Sequence, residues 1–240
     1  MSLYAEHSKT LVGNLQLKAV PVAVTFNAEP PAGISRIDSP ALAGCAYWKA
    51  AADGQIFYTN AADHLGCAIG AYTLGVELGP QQQTELEQML GMMTGINYIT
   101  TEEVPNIPVR KGKFNFVTYA PLSKTPAAPD LVLIRSGARA SMLLSEAAHS
   151  ADARDVTAPV IRPACAMLPQ VLATSRTTTS LGCIGNRVYT GLPDDEIWST
   201  LPGARLDEIM EKLAIVVQAN HTLSMFHTGR MAATSIECRK

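Results

Sequence analysis

Short apolar runs and amphipathic stretches take turns along the chain, and their periods separate strands from helices. Leu17–Phe26 is apolar and β-branched, the pattern of a buried strand, and the NAEPPAG that follows breaks it. Ser39–Ala52 reads as a helix ending at Asp53-Gly54, and Gln55–Thr59 as a short strand. Gly66–Leu74 carries a helical pattern weakened by glycines. Gln81–Met93 carries a stronger one, with Leu86, Met89, Leu90 and Met93 on one face. EEVPNIPVRKGK (102–113) reads as a linker. Strands are expected at Phe114–Tyr119 and Leu131–Ile134. A helix opening at Ser136-Gly137 should run to about His149, and a shorter one, interrupted by Pro169, should cover Ala166–Ala173. The clearest amphipathic helix is Arg205–Ala219, with Leu206, Ile209, Met210, Leu213, Val216 and Val217 on one side. The mixture predicts an α/β or α+β fold.

The pattern also repeats. LGCAIGAYT (Leu65–Thr73) returns as LGCIGNRVYT (Leu181–Thr190), with leucine, glycine and cysteine at a constant offset of 116 and later matches one residue to either side, as if small indels intervened. Upstream of each copy a second cysteine opens a helix-like segment, Cys45 in GCAYWKAA and Cys165 in ACAMLPQVL. VPVAVTF (20–26) has a loose counterpart in DLVLIRS (130–136). The chain therefore reads as an internal duplication. Its halves, near 10–107 and 110–228, would pack about a pseudo-twofold axis into one compact domain.

Composition narrows the function without naming it. Of the 240 residues, 47% are hydrophobic and 17% charged, enough to bury a sizeable core. A net charge of −2 gives no reason to expect a nucleic-acid or anionic-membrane partner, and no apolar run is long enough to span a bilayer. With no secretion signal at the N-terminus, the expectation is a cytoplasmic protein acting on a small-molecule ligand, with self-association left open. Five cysteines, an odd number, argue against a disulfide framework, and Cys238 sits apart in the polar tail.

The four repeated cysteines carry the candidate chemistry. Each follows a small residue and precedes a helix-like stretch, where backbone N–H groups and the helix dipole favour thiolate. If the halves face each other, Cys45, Cys67, Cys165 and Cys183 converge as ligands for an iron–sulfur cluster or a tetrahedral zinc, the glycine-rich turns favouring the cluster. Against this, no Cys-x-x-Cys occurs, and unpaired cysteine is often simply buried. A reactive-thiol role falls on Cys67 and Cys183. His64, where the second copy has Ser180, is a candidate acid, base or ligand. Arg187, Gly66 and Gly182 are the candidate cofactor-binding residues, Arg187 as the anchor for a carboxylate or phosphate, or else as an ion-pair partner of Asp194 or Asp195. The reading keeps three alternatives open: a metal- or iron–sulfur-binding protein with redox or small-molecule chemistry between the halves, a tetrapyrrole-type cofactor binder without metal ligation by cysteine, and a thiol-based transferase or reductase. Ser136-Gly137 is a weaker candidate anion site, Thr174–Ser180 a possible ligand-facing loop, and His221 and His227 are weak candidates for a haem or corrinoid ligand. Met89, Met92 and Met93 read as core filler.

PVAV near the start, Cys-x-x-x-Lys-Ala (45–50) and GC-x-x-G-A-x-x-x-G (66–75) together resemble the family called domain of unknown function 169, as do PDLVLIRSGARASMLL and SLGCIGNRVYTGLPDDE. The resemblance covers roughly 10–215. It implies membership and no activity.

Overall fold

The computed structural model describes residues 2–152 and 160–237, and Cys238 lies outside them. Among the described residues eight α-helices and six strands form a mixed α/β fold. The helices are α1 (Leu3–Leu15), α2 (Cys45–Ala52), α3 (Ala68–Leu74), α4 (Pro80–Gly95), α5 (Ala138–Asp152), α6 (Met167–Thr174), α7 (Ile184–Thr190) and α8 (Leu206–Glu237). The strands are β1 (Val22–Asn27), β2 (Phe57–Asn60), β3 (Phe116–Pro121), β4 (Leu131–Gly137), β5 (Thr178–Ser180) and β6 (Glu196–Pro202). They make one antiparallel sheet in the order β2-β3-β1-β4-β6-β5.

Strand alternation sorts side chains into two cores. Val22 and Val24 of β1, Val117 and Tyr119 of β3 and Leu131 and Leu133 of β4 face α2 and α6, where Tyr47, Trp48, Met167 and Leu168 cover them. Ala23, Val132 and Ile134 point the other way, onto Leu11 and Leu15 of α1, Leu143 and Leu144 of α5 and Ile209 and Leu213 of α8. The sheet is thus a middle layer with helices on both faces, and each strand residue spends its apolar surface on one of them.

Several boundaries moved for local reasons. The first strand starts at Val22, after Pro21, which has no N–H to give to a ladder. The helix expected from Ser39 begins only at Cys45; Pro40 and the irregular 39–44 segment precede it. Ser136 and Gly137 end β4 instead of opening α5. Pro169 sits in the first turn of α6, where a missing N–H costs nothing. The N-terminal helix α1 was not legible as amphipathic text; Ser2 caps it, its side chain accepting the Ala5 N–H. α8 continues past Ala219 to Glu237, and its residues 221–231 are exposed. No helix among the described residues is long and apolar enough to cross a membrane.

Candidate functional site

The helices on the first face do not close over the sheet. They leave a cavity of about 800 Å³, with Tyr119 reaching into it from β3. All four repeated cysteines line this cavity. Cys45 is the first residue of α2; Cys67 and Cys183 are the N-caps of α3 and α7, both in extended backbone conformation; Cys165 lies in the single 3-10 turn (Ala164–Ala166) leading into α6. Four helix starts therefore meet at one floor. The packing is crosswise: α2 lies against α7, and α3 against the turn before α6.

Each thiol is free and half-buried. Burial pushes the Cys45 thiol up to about 11, with the Cys183 and Cys67 sulfurs adding to the rise and the Asn186 amide opposing it. Burial likewise raises Cys67, against the backbone N–H groups of Gly70 and Ile69. Cys165 is pushed far up by burial, against a bond from Thr73, and it senses the other three sulfurs. The four thiols thus lie within mutual electrostatic reach, and burial keeps Cys45, Cys67 and Cys165 as neutral S–H groups at neutral pH. Among the described residues no three His, Cys, Asp or Glu side chains are grouped closely enough to hold a single metal ion. A zinc–thiolate site, with its sulfurs within about 4 Å of one another, is therefore not preformed.

The other sequence candidates fall in different places. Gly66 lines the cavity, and a Cβ there would meet the Ala41 carbonyl oxygen at 2.8 Å, so glycine is needed for the close approach of the 41–42 backbone. Gly182 sits outside the lining, at φ +79°, and its missing side chain makes room for Leu192. His64 is buried one layer below. Its Nε2 lies 2.9 Å from the Thr59 hydroxyl, and its Nδ1 faces Gly44, where a Cβ would approach to 2.9 Å. Burial pushes His64 down to about 4 despite the neighbouring Asp63 carboxylate. The imidazole is a neutral spacer beneath the start of α2 and does not reach the cavity. Burial alone would raise Asp63, but two bonds from Arg36, the Asn60 N–H and the Arg36 charge hold it below the ordinary carboxylate value. Tyr47 donates to the Asp63 carbonyl at 2.7 Å and accepts the Ala41 N–H at 2.9 Å, so one lattice fixes the Cys45 and Cys67 segments together.

Arg187 does not face the cavity either. Its guanidinium donates to the carbonyls of Leu181 (2.5 Å), Pro193 (2.8 Å), Glu196 (3.3 Å) and Leu192 (3.4 Å), with Asp194 at 3.6 Å. The side chain staples the turn before α7 to the loop before β6. Ser136 is buried and shares a hydrogen bond with Ser141 at 2.9 Å, Thr178–Ser180 form the buried edge strand β5, and His221 and His227 stand exposed on α8, away from the cavity.

Three features of the site were missed. Met89, Met92 and Met93 are wall, not filler: with Ile96 and Ile99 they make one side of the cavity apolar. Arg162 and Glu103, paired at 2.9 Å, stand at its exposed mouth, where Arg162 also lies over the Tyr98 ring. Asn186 and Tyr119 are buried at the floor and contribute side-chain polar atoms with no hydrogen-bond partner. A lone asparagine in GNRVYT and a tyrosine in a strand carry no sequence signal for such a position.

No curated protein and no solved structure gives a match to this chain. Residues 10–212 match the model of a family described as uncharacterised ArCR, domain of unknown function 169. With that match covering most of its length, and with the paired cysteine turns now placed around one cavity, the chain belongs to this family.

Proposed function

We propose that the chain is an internally duplicated protein that holds a metal–sulfur cluster, of iron–sulfur type, on its four repeated cysteines and binds an organic small molecule in the apolar cavity above it. One observation carries this reading: four thiols from four separate helix starts line one cavity, and their spacing suits no single ion. A cubane cluster spreads its ligand sulfurs further than zinc does, to roughly 6–7 Å. It also welcomes the backbone N–H groups that surround thiols at helix starts.

Strand register supports the duplication. Val22 pairs with Pro121 and Leu131 with Pro202; Phe57 pairs with Tyr119 and Thr178 with Thr200. Exchanging β1, β2 and β3 for β4, β5 and β6 at these registers carries each ladder onto its counterpart, with only the end pairs Asn60↔Phe116 and Gly137↔Glu196 left unmatched. At the centre, Val22↔Leu133 and Val24↔Leu131 are exchanged with each other about Ala23↔Val132. The parallel bridges Arg36↔Tyr58 and Val160↔Thr179 correspond as well. On this reading β3 belongs to the first half, and the junction falls between β3 and β4 instead of near 107–110. The α3 and α7 helices correspond without indels: each has seven residues, a cysteine N-cap and a left-handed glycine C-cap, Gly75 and Gly191.

The test is anaerobic reconstitution with ferrous iron and sulfide. The reading expects about four iron and four sulfide per chain with a broad visible absorption. It also expects loss of most of the iron in each of Cys45→Ser, Cys67→Ser, Cys165→Ser and Cys183→Ser. Equal iron in wild type and all four variants overturns it. A second reading, an organic cofactor of tetrapyrrole type held without thiolate ligation, draws on the cavity volume and its thioether and aromatic lining. A sharp Soret band on mixing with haemin, with no uptake of iron and sulfide, decides for it.

A further inference from the structure

The cavity has an apolar wall and a floor with unmet polar atoms. Asn186 is 2% exposed and Tyr119 0% exposed, and both line the cavity. Neither Nδ2 nor Oδ1 of Asn186 has a hydrogen-bond partner of ordinary geometry, although the amide lies against the Cys45 thiol and favours its thiolate. The Tyr119 hydroxyl is unpartnered too, and it lies within electrostatic reach of the same sulfur. Buried polar groups almost always find partners, and leaving several unmet at one spot is expensive. The charged side chains that line the cavity, Glu85, Glu103 and Arg162, are exposed at its mouth. Among the described residues no cation lines the floor.

From this juxtaposition we infer that the cavity takes an elongated apolar ligand with an uncharged, amide-like head, a carboxamide or lactam, seated on Asn186 and Tyr119. The chemistry follows from what the floor offers. Asn186 presents one donor and one acceptor in a plane, and a carboxamide or lactam edge presents the complement of both. The phenol of Tyr119 serves the remaining lone pair or N–H. A carboxylate head would leave the Asn186 carbonyl facing an anion and would bury a charge with no counter-ion. An ester would supply an acceptor and no donor. The body of the ligand would lie along Met89, Met93 and Ile99, whose thioether and branched chains adapt to an apolar shape. The assignment also accounts for a difference between the repeats: at the position corresponding to Asn186 the first copy has Gly70, so the two ends of the ligand meet different surfaces.

The inference rests on the organic-ligand part of the function proposed above. Trp48 lines the cavity and reports on it by its fluorescence. Titration of the full chain with octanamide, methyl octanoate and octanoate tests the head. Octanamide should bind about tenfold more tightly than the ester, the discrimination one or two hydrogen bonds supply, with octanoate weakest. Asn186→Leu should bring amide and ester to equal affinity, and the smaller Asn186→Ala, which also offers neither donor nor acceptor, should do the same should the leucine variant not fold. Tyr119→Phe should weaken octanamide severalfold and leave the ester unchanged. Equal affinities in wild type, a preference for octanoate, or an intact preference in Asn186→Ala overturns the head-group assignment while the cavity stands. Failure of all three probes to bind overturns the head group and the organic-ligand reading together.

Discussion

α3 and α7 start from the same Leu-Gly-Cys turn and end on the same kind of glycine, yet they live in different surroundings. Six of the seven residues of α3 are buried, because α4 folds back over it and Leu86 packs with Ala68 and Ile69. In α7 only Asn186 and Thr190 are buried; Ile184, Val188 and Tyr189 are 71%, 72% and 44% exposed. The shared turn places a cysteine at the cavity floor in both cases. What lies outside that floor is decided by the next segment of chain, and only the first copy has one. A repeated motif thus specifies a local geometry and says little about what covers it.

The contrast breaks most clearly at the apolar positions of the two helices. Ile69→Ala should cost about 3 kcal/mol in urea unfolding, the usual range for a buried isoleucine, while Ile184→Ala should stay within about 0.5 kcal/mol. Equal losses would mean that α7 is covered in solution.

Acid should expose the next difference, His64 against Ser180. A histidine held at about 4 in the folded chain and 6.5 when unfolded is charged more readily by unfolding. Its contribution is therefore complete above pH 6.5 and lost as the pH falls towards 4. The shift corresponds to about 3 kcal/mol. Asp63, also held below its ordinary value of 3.8, adds loss in the same direction only as the pH falls on past about 4. Stability followed from pH 7 to pH 4 should fall through this window, and His64→Gln should flatten the fall.

Arg187 stands where the first copy has the fully buried Ala71. Arg187→Ala leaves four carbonyls short of a donor and should cost about 2 kcal/mol. Arg187→Lys should recover only part of that, since a single ammonium cannot reach four separated carbonyls. Full recovery would show that charge, not the guanidinium fork, holds the turn.

The smallest effect separates the two glycines. Gly182→Ala is strained by its positive φ, at about 1–2 kcal/mol, and its Cβ would also meet the Leu192 side-chain tip at 2.8 Å; that tip can shift, so Gly182→Asn should recover part of the φ strain and none of the crowding. Gly66 has no such conformation and is confined by the Ala41 carbonyl, so Gly66→Asn should be no better than Gly66→Ala.

These contrasts also mark what the sequence made legible. Periodicity located α4 and the start of α8 by their apolar faces, and short apolar runs located β1, β3 and β4, whose alternate residues are buried on opposite sides of the sheet. It missed α1, whose face is narrow, and β6, where EIWSTLP carries polar residues that become buried inside the sheet. The cysteines announced themselves by repetition. Asn186 and Tyr119 did not, since their importance comes from what they lack in three dimensions. His64 and Arg187 looked like chemistry because their side chains are versatile; packing commits one to Thr59 and the other to backbone carbonyls.

The sheet order has a consequence for how the protein is made. β1 lies between β3 and β4, so its two neighbours in the sheet are strands that leave the ribosome long after it does. About ninety residues separate β1 from β3, which at roughly 5–20 residues per second is on the order of 4–18 s. During that interval the Val-Ala-Val run at its start has neither edge hydrogen-bonded in the sheet. Then β3 and β4 arrive almost together, close both edges, and turn a sticky nascent segment into the centre of the molecule. Slowed translation between residues 60 and 115 should therefore lower soluble yield more than the same delay placed after residue 137.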